Sequence, residues 1–416
     1  MAQTDTLIHP RTFADATRPA ARHRTLPKAD TDIALSVHHD LTAAEPEWRA
    51  FEQVADLTPF QTFDWLSCWH RHVGEPAGVR PAIVIGRCGA EIKFLLPLAI
   101  DAGRLSRKLR FLGQDLSDYN APLLARDFSG TFGADPFIAL WQQVRDRLQA
   151  DARMRHDTID FAKMPETVGA QANPFLNLDV TLNASNAYQT TLGADWETFY
   201  TAKRSSATRR RDRTKLKRLS ELGEVGFVTP DKDETPHTFE TLIHQKARSF
   251  ARMGVANLFA RPGYAAFFRE LAASDRLRPF VHISRLDVGT TQAAVNLGLT
   301  FRDCYYHILA SYDDGDISRF GPGSAHLREL LHYAIDHRLA RFDFTIGDEP
   351  YKRDWCDAEQ KLYDHSAAAT LRGWPVALIS TARGRLKRSI KQSAPVWDAV
   401  LRMRAALSPL LRKRAE

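Results

Sequence analysis

The stretch from Tyr305 to Phe344, YYHILASYDDGDISRFGPGSAHLRELLHYAIDHRLARFDF, holds the residues best suited to binding a charged ligand. Gly321 and Gly323 stand where a turn gives way to a helix, and only glycine lets backbone approach a ligand so closely. The first turn of that helix presents amide N–H groups without intrahelical partners and the positive end of its dipole, a combination that favours phosphate. Arg319 adds a permanent charge able to make paired contacts with a pyrophosphate, and Ser324 either caps the helix or donates to an oxygen. A capped helix after a Gly-Pro turn explains the same residues, and both readings stand on sequence.

Moving a group between two bound molecules needs a base for the attacking nucleophile, donors for developing negative charge, and a proton for the leaving group. Asp343 lies in an alternating run with Arg341 and Thr345 on its face, which makes it either a base or a salt-bridged strand carboxylate. His307 titrates near neutrality if unperturbed, although a lone strand histidine is more often structural. Tyr351 and Lys352 close the block EPYKRDW, and Trp355 at its end reads as core or as a substrate wall. Asp118, Tyr119 and Asn120, in the loop LSDYNAP, are polar groups suited to holding an acceptor in a cleft. The chain lacks GxSxG and paired CxxC patterns, so neither a metal nor a covalent intermediate is expected.

These residues must be positioned by strands and helices whose periodicity is legible. Leu327, Leu330, Leu331, Ala334 and Ile335 share one face of a helix from about 324 to 338, followed by a strand at 341–346. Strands are expected at 280–286, 293–301 and 304–312 before it. The same order, hairpin, strand, helix, strand, runs earlier through 81–86, 92–100, 109–112, 136–149 and 158–161. Two similar α/β halves follow, with mixed sheets flanked by helices: 33–185 and 186–370, between an arm at 1–32 expected to be disordered and a tail at 371–416. One helix is expected from 195 through the basic stretch to 221.

Composition narrows the class. The chain has 416 residues and 44% hydrophobic content, enough for two cores. Its four cysteines are scattered, which suits a reducing compartment, and no apolar run suits a membrane span or a signal peptide, so a cytoplasmic protein is expected. The net charge of +7 is concentrated: 201–220 carries nine Lys/Arg against one acid, and 371–416 carries eleven against two. Such blocks point to phosphate-bearing or membrane-surface partners. Nucleic acid is disfavoured because no aromatic residue interleaves the first block. The tail alternates apolar residues with bases, as an interfacial helix does, while a helix packed on its own protein fits as well.

Several blocks together resemble the cellulose-biosynthesis (CelD/BcsL-type) acetyltransferases, a branch of the GNAT superfamily related in fold to the FemAB transferases. They are TPFQTFDWLSCW at 58, LRFLGQDLSDYNAPLL at 109, RSSATRRRDRTKLKRLSELGEVGF at 204, ISRFGPGSAHLRELLHYAI at 317 and FDFTIGDEPYKRDW at 342. The resemblance spans about residues 45–370. It implies tandem GNAT-like (acyl-CoA N-acyltransferase) domains, with the strand at 304–312 splayed from its neighbour to admit acetyl-CoA or another acyl-CoA. Tyr351–Lys352 is similar to an aromatic-lysine pair of FemAB-type enzymes, where the lysine stabilises charge. One departure stands out: Arg319-Phe-Gly321-Pro-Gly323 is one residue tighter than the Q/R-x-x-G-x-G/A pattern.

The implied activity is direct acyl transfer to an amine or hydroxyl on a saccharide or small molecule, in bacterial exopolysaccharide or cellulose biosynthesis. Two rival expectations remain: an aminoacyl-tRNA-dependent transferase of FemAB type, and a non-catalytic partner of a polysaccharide synthase docked to it, or to the inner membrane, through the tail.

Overall fold

The computed structural model describes residues 33–103 and 105–393, so the expected arm and the tail beyond 393 lie outside the described residues. The strands of four residues or more begin with β1 (Ile33–His38), β2 (Arg80–Cys88), β3 (Glu91–Ala102), β4 (Arg107–Phe111) and β5 (Thr158–Pro165). β6 (Ala187–Thr191) follows, then β7 (Val225–Val228), β8 (Val281–Val288), β9 (Thr291–Phe301), β10 (Cys304–Tyr312), β11 (Arg341–Ile346) and β12 (Leu362–Ala368). The helices are α1 (Leu41–Glu52), α2 (Phe63–Trp69), α3 (Ala134–Ala150), α4 (Trp196–Lys203), α5 (Ser206–Ser220), α6 (Thr235–Met253), α7 (Tyr264–Ala273), α8 (Pro322–Asp336) and α9 (Trp374–Gln392), besides single turns.

Two mixed sheets share one plan. In the first, β1 to β4 form an antiparallel meander; α3 then crosses over so that β5 returns parallel to β4. In the second, β7 to β10 form the meander and α8 brings β11 back parallel to β10. Each crossover helix is held by one apolar stripe, Phe137, Leu140, Trp141, Val144 and Leu148 in α3 and Leu327, Leu330, Leu331, Ala334 and Ile335 in α8, all buried.

The sheets are completed crosswise. β6, which follows β5 in the chain, pairs antiparallel with β11 of the second sheet; β12, which follows β11, pairs antiparallel with β5 of the first. The expected division into 33–185 and 186–370 is therefore crossed by one strand, because Leu362–Ala368 finds its free edge on β5. Both pairings carry the same irregularity. One extra residue bulges from the receiving strand, Lys163 in β5 and Thr345 in β11, each in the left-handed conformation (φ 58° and 57°).

The expected single helix over 195–221 is two helices. Ser205 breaks it: its backbone is extended and its hydroxyl accepts from Thr208 N at 3.2 Å, the N-cap arrangement of a new helix.

The halves share a core. Trp65 of α2 is fully buried, edge-on to Phe60 at 5.2 Å and to Phe267 of α7 at 5.0 Å, in a cluster that also holds Leu297 and Leu299 of β9. Arg302 donates to Ala55 O at 2.6 Å across the same boundary. With the exchanged strands, this joins the halves into one cooperative unit. Trp65→Ala is expected to lower stability by about 3–5 kcal/mol, and far-UV dichroism and tryptophan fluorescence should report a single coincident urea transition in both proteins.

Candidate active site

β10 and β11 pair for only three residues, Cys304–Arg341, Tyr305–Phe342 and Tyr306–Asp343, and then diverge. The bulge at Thr345 turns β11 away, while on the other side β10 bulges at Ile308 against β9. The last tie between the parting strands is Thr345 Oγ1 donating to His307 O at 3.2 Å. Beyond it a slot opens along β10 toward Tyr312. The splay expected of residues 304–312 is thus the observed geometry.

At the Tyr312 end lies the glycine turn. Gly321 takes the left-handed conformation (φ 69°) as N-cap of α8, with Pro322 in the first position, where a missing N–H costs nothing. A Cβ on Gly323 would meet the Tyr312 ring at 3.1 Å, and one on Gly321 would lie 3.5 Å from Lys215 Nζ of α5. The basic helix therefore leans on the turn, which the sequence signalled only as a block of charge. Arg319 is exposed, its guanidinium 4.8 Å over Phe320. Ser324 is exposed in the first turn and forms no cap, since Gly321 already occupies the cap position. Two glycines, first-turn amides, Arg319, Ser324 and Lys215 make a site that fits phosphate groups.

At the other end, where pairing stops, Asp343 is buried and carries a proton affinity unusual for a carboxylate: burial raises its pKa from the ordinary 3.8 to about 6, opposed by hydrogen bonds from Tyr119 and Thr345 N and reinforced by Asp118. Tyr119 Oη lies 2.8 and 3.0 Å from the two carboxylate oxygens, and Thr345 N donates to Oδ1 at 2.7 Å. Tyr119 comes from the first half, so the loop 116–122 reaches across the boundary to the splayed strands. Asp118 beside it is half-buried, its pKa raised chiefly by burial against the pull of Lys163 and of a hydrogen bond to Thr345. The two carboxylates come from different halves, and Asp118 adds to the proton affinity of Asp343.

Asn120 serves the loop itself: its Nδ2 donates to Ala162 O at 2.9 Å and its backbone N to Lys163 O at 3.1 Å, while its buried Oδ1 has no protein partner. His307 is buried against Phe342 and Phe344, and burial, with Lys352 and Lys246 nearby, pushes its pKa down to about 3. Its imidazole is neutral at physiological pH and holds a proton weakly. Lys352 is 3% exposed and donates to Ile346 O at 3.0 Å and Thr345 O at 3.4 Å while pairing with Glu349 at 3.0 Å. Its ammonium tethers the bulged strand end and adds positive charge beneath the slot. Tyr351 is 38% exposed with its ring edge-on to Phe344 at 6.5 Å.

Trp355 is not a substrate wall. It is 4% exposed, stacked in the second half's core with Phe199 and Tyr200 and covered by the Arg204 guanidinium at 4.9 Å. The one-turn helix Pro350–Arg353 turns its ring inward.

Lys163, Lys246, Glu349 and Lys215 were not singled out in the sequence. Lys163 reaches the site only because the bulge in β5 places it there, its ammonium destabilised by burial against the pull of Asp118 and Asp115. Among the described residues, Cys68, His72 and Glu270 bring metal-ligand types within 4.8 Å of one another at the boundary of the halves. Arg71 and His72 both bond the Glu270 carboxylate there, an ion pair that links α7 to the first half.

Two sheets of one plan, with a splayed parallel pair and a glycine turn in the second, define a tandem of GNAT-like halves. Residues 206–353 match the acetyltransferase (GNAT) domain family, a span that runs from α5 through the cradle to the helix carrying Lys352. Among solved structures, FemX superposes over 83% of this chain and 100% of its own with a TM-score of 0.55 at 10% identity. A conserved protein of unknown function from Bacteroides thetaiotaomicron VPI-5482 does so over 80% and 99%, with a TM-score of 0.50 at 13% identity. These likenesses show a common fold across both halves. No curated protein matches the chain by sequence.

The raised affinity of Asp343 has a measurable sign. The folded chain keeps this proton up to about pH 6, whereas the unfolded carboxyl releases it near 3.8, so the residue costs stability as pH rises through that window. Asp343→Asn should gain melting temperature relative to wild type between about pH 4 and 6, read by scanning fluorimetry; a constant difference across the window would contradict the assignment.

Proposed function

We propose that this protein transfers an acyl group from acyl-CoA to an amine or hydroxyl acceptor. The observation that carries the reading is the slot itself: a parallel strand pair that parts after three residues, with a phosphate-suited glycine turn at one end and a buried carboxylate of raised pKa at the other. From His307 to Tyr312 is five residues along β10, about 16 Å at roughly 3.3 Å per residue. That length separates a reacting thioester from the phosphates of its carrier.

In this reading, Gly321, Gly323, Ser324, Arg319 and Lys215 hold the phosphates. Acyl-CoA supplies the activated thioester. Asp343, with Asp118 beside it, takes the proton from the acceptor as its nitrogen or oxygen bonds to the acyl carbon and the carbon–sulfur bond breaks; the departing thiolate takes a proton from solvent at the open side, where Tyr351 is partly exposed. Lys352 favours the negative charge on the carbonyl oxygen through space, while its hydrogen bonds fix the strand end. His307 shapes the slot wall as a neutral side chain. The acceptor enters between the halves along the loop 116–122, where Asn120 Oδ1 awaits a donor. A saccharide or polysaccharide precursor suits this polar cleft, and the resemblance to cellulose-biosynthesis acetyltransferases supports that choice.

A second reading is favoured by the likeness to FemX over the full length and by the basic face of α5 beside the cradle: an aminoacyl-tRNA as acyl donor. The experiment that separates the two is calorimetric titration with acetyl-CoA and with charged tRNA. The acyl-CoA reading expects saturable binding of acetyl-CoA, lost in an Arg319→Ala, Gly323→Trp double variant with unchanged dichroism. Heat only with charged tRNA would replace it with the second reading. Once an acceptor is found, Asp343→Asn should lower kcat/KM on the order of 10²–10⁴-fold and remove an activity limb that rises through about pH 6.

A further inference from the structure

Helix α9 is seated the wrong way round for a helix that belongs only to its own core. Its inward face, toward β12 and β5, is made mainly of Ala377, Ser380, Thr381, Gly384 and Arg388, small and polar residues, with Val376 half-buried at its edge. Ser366 donates to Ala377 O, Ser380 to Asp160, and Arg388 to Asn183 O. The approach is close from the start: a Cβ on Gly373 would fall 1.8 Å from Asp157 O, so glycine is required where the helix lands.

The outward face carries the large apolar side chains. At 100° per residue, Pro375, Ile379, Ala382, Leu386 and Ile390 form one stripe opposite Ala377. Ile379 is 51% exposed, Leu386 62% and Leu378 51%, and Trp374 and Leu371 extend the patch at the helix start with 61% and 95%. A packed amphipathic helix would bury these and expose Ser380 and Thr381. Bases flank the stripe on both sides: Arg385 on one, Arg383 and Lys387 on the other, all exposed, and α9 contains no Asp or Glu.

We propose that α9 lies on an anionic lipid bilayer, its stripe of Ile379, Ala382 and Leu386 sunk among the acyl chains and its flanking bases at the headgroups. Three features point to this occupant. The apolar stripe is narrow and bordered by cations, as an interfacial helix requires; all the formal charge of the helix is positive; and a tryptophan stands at the edge of the patch. Among the described residues no helix is long and apolar enough to cross a membrane, so the contact is with the surface. The inference rests on α9 alone and is independent of the acyl-transfer chemistry.

The test is co-sedimentation of the full chain with vesicles of phosphatidylcholine alone and of equal parts phosphatidylcholine and phosphatidylglycerol. The protein should pellet with the anionic vesicles, weakly with the neutral ones, and progressively less as salt is raised. Ile379→Asp with Leu386→Asp should lower the partition coefficient on the order of tenfold or more, with unchanged dichroism because both side chains are already exposed. Arg383→Glu with Lys387→Glu should lower binding and flatten its salt dependence. Three results would overturn the proposal: no pelleting with anionic vesicles at low salt, equal binding by the Ile379, Leu386 variant, or a wild-type dimer in light scattering that this variant dissolves, which would assign the face to a second copy.

Discussion

The contact on which the rest depends is the buried hydrogen bond between Tyr119 and Asp343. It joins a loop of the first half to a strand of the second, and it lies where β10 and β11 part company. An unpaired carboxylate at that depth would be strongly disfavoured, and the Tyr119 hydroxyl with the Thr345 amide makes it tolerable. In return the bond fixes the loop that places Asp118 beside Asp343. The bulge at Thr345 belongs to the same arrangement: its left-handed backbone turns the amide onto Asp343, deflects β11 and so opens the slot. The parting of the strands, the boundary of the halves and the proton affinity of Asp343 thus follow from one local geometry.

The plan repeats in the first half without the chemistry. β4 and β5 also pair in parallel for only a short run, yet the space beyond is filled by aromatic rings: Phe111 against Phe161 at 4.7 Å, and Trp141 and Phe137 each 5.2 Å from Phe175. A small apolar cavity of about 10 Å³ lies nearby, lined by β3 and α3 residues such as Phe94 and Leu140. The first turn of α3 carries Asp135, where α8 has no acid. A phosphate would meet repulsion there, and a pantetheine-like chain would meet phenylalanine. The first half instead sends its loop 116–122 to the parted strands of the second, where Tyr119 bonds Asp343.

Much of this was legible in the sequence. Crossover helices announced themselves by their apolar period, the first hairpin by two successive apolar runs at 81–86 and 92–100, and the turn at 321–323 by glycines before a periodic helix. The parting of the strands, the α4–α5 break and the crosswise strands were harder. Ser205 looks like any serine in a basic run until its backbone is seen to be extended. Ala187–Thr191 and Leu362–Ala368 are short, moderately polar strands whose identity comes from the edge they find. Lys163 and Thr345 owe their placement to positive φ in residues that carry a Cβ, which composition does not signal. Trp355 illustrates the converse: a large aromatic beside candidate catalytic residues proved to be packing material, since one helical turn decides which way its ring points.

The crosswise exchange of β6 and β12 also governs the order in which the chain can become itself during synthesis. β5 emerges from the ribosome with one edge bare, and its partner Leu362–Ala368 follows about 200 residues later, on the order of 10–40 s at typical elongation rates. Meanwhile β6, next in line, has no sheet to join until β11 exists. The first half cannot be finished before the second; it waits for β12, and the nascent protein must keep the open edge of β5 and the unpaired β6 from pairing wrongly until its last described helix is nearly made.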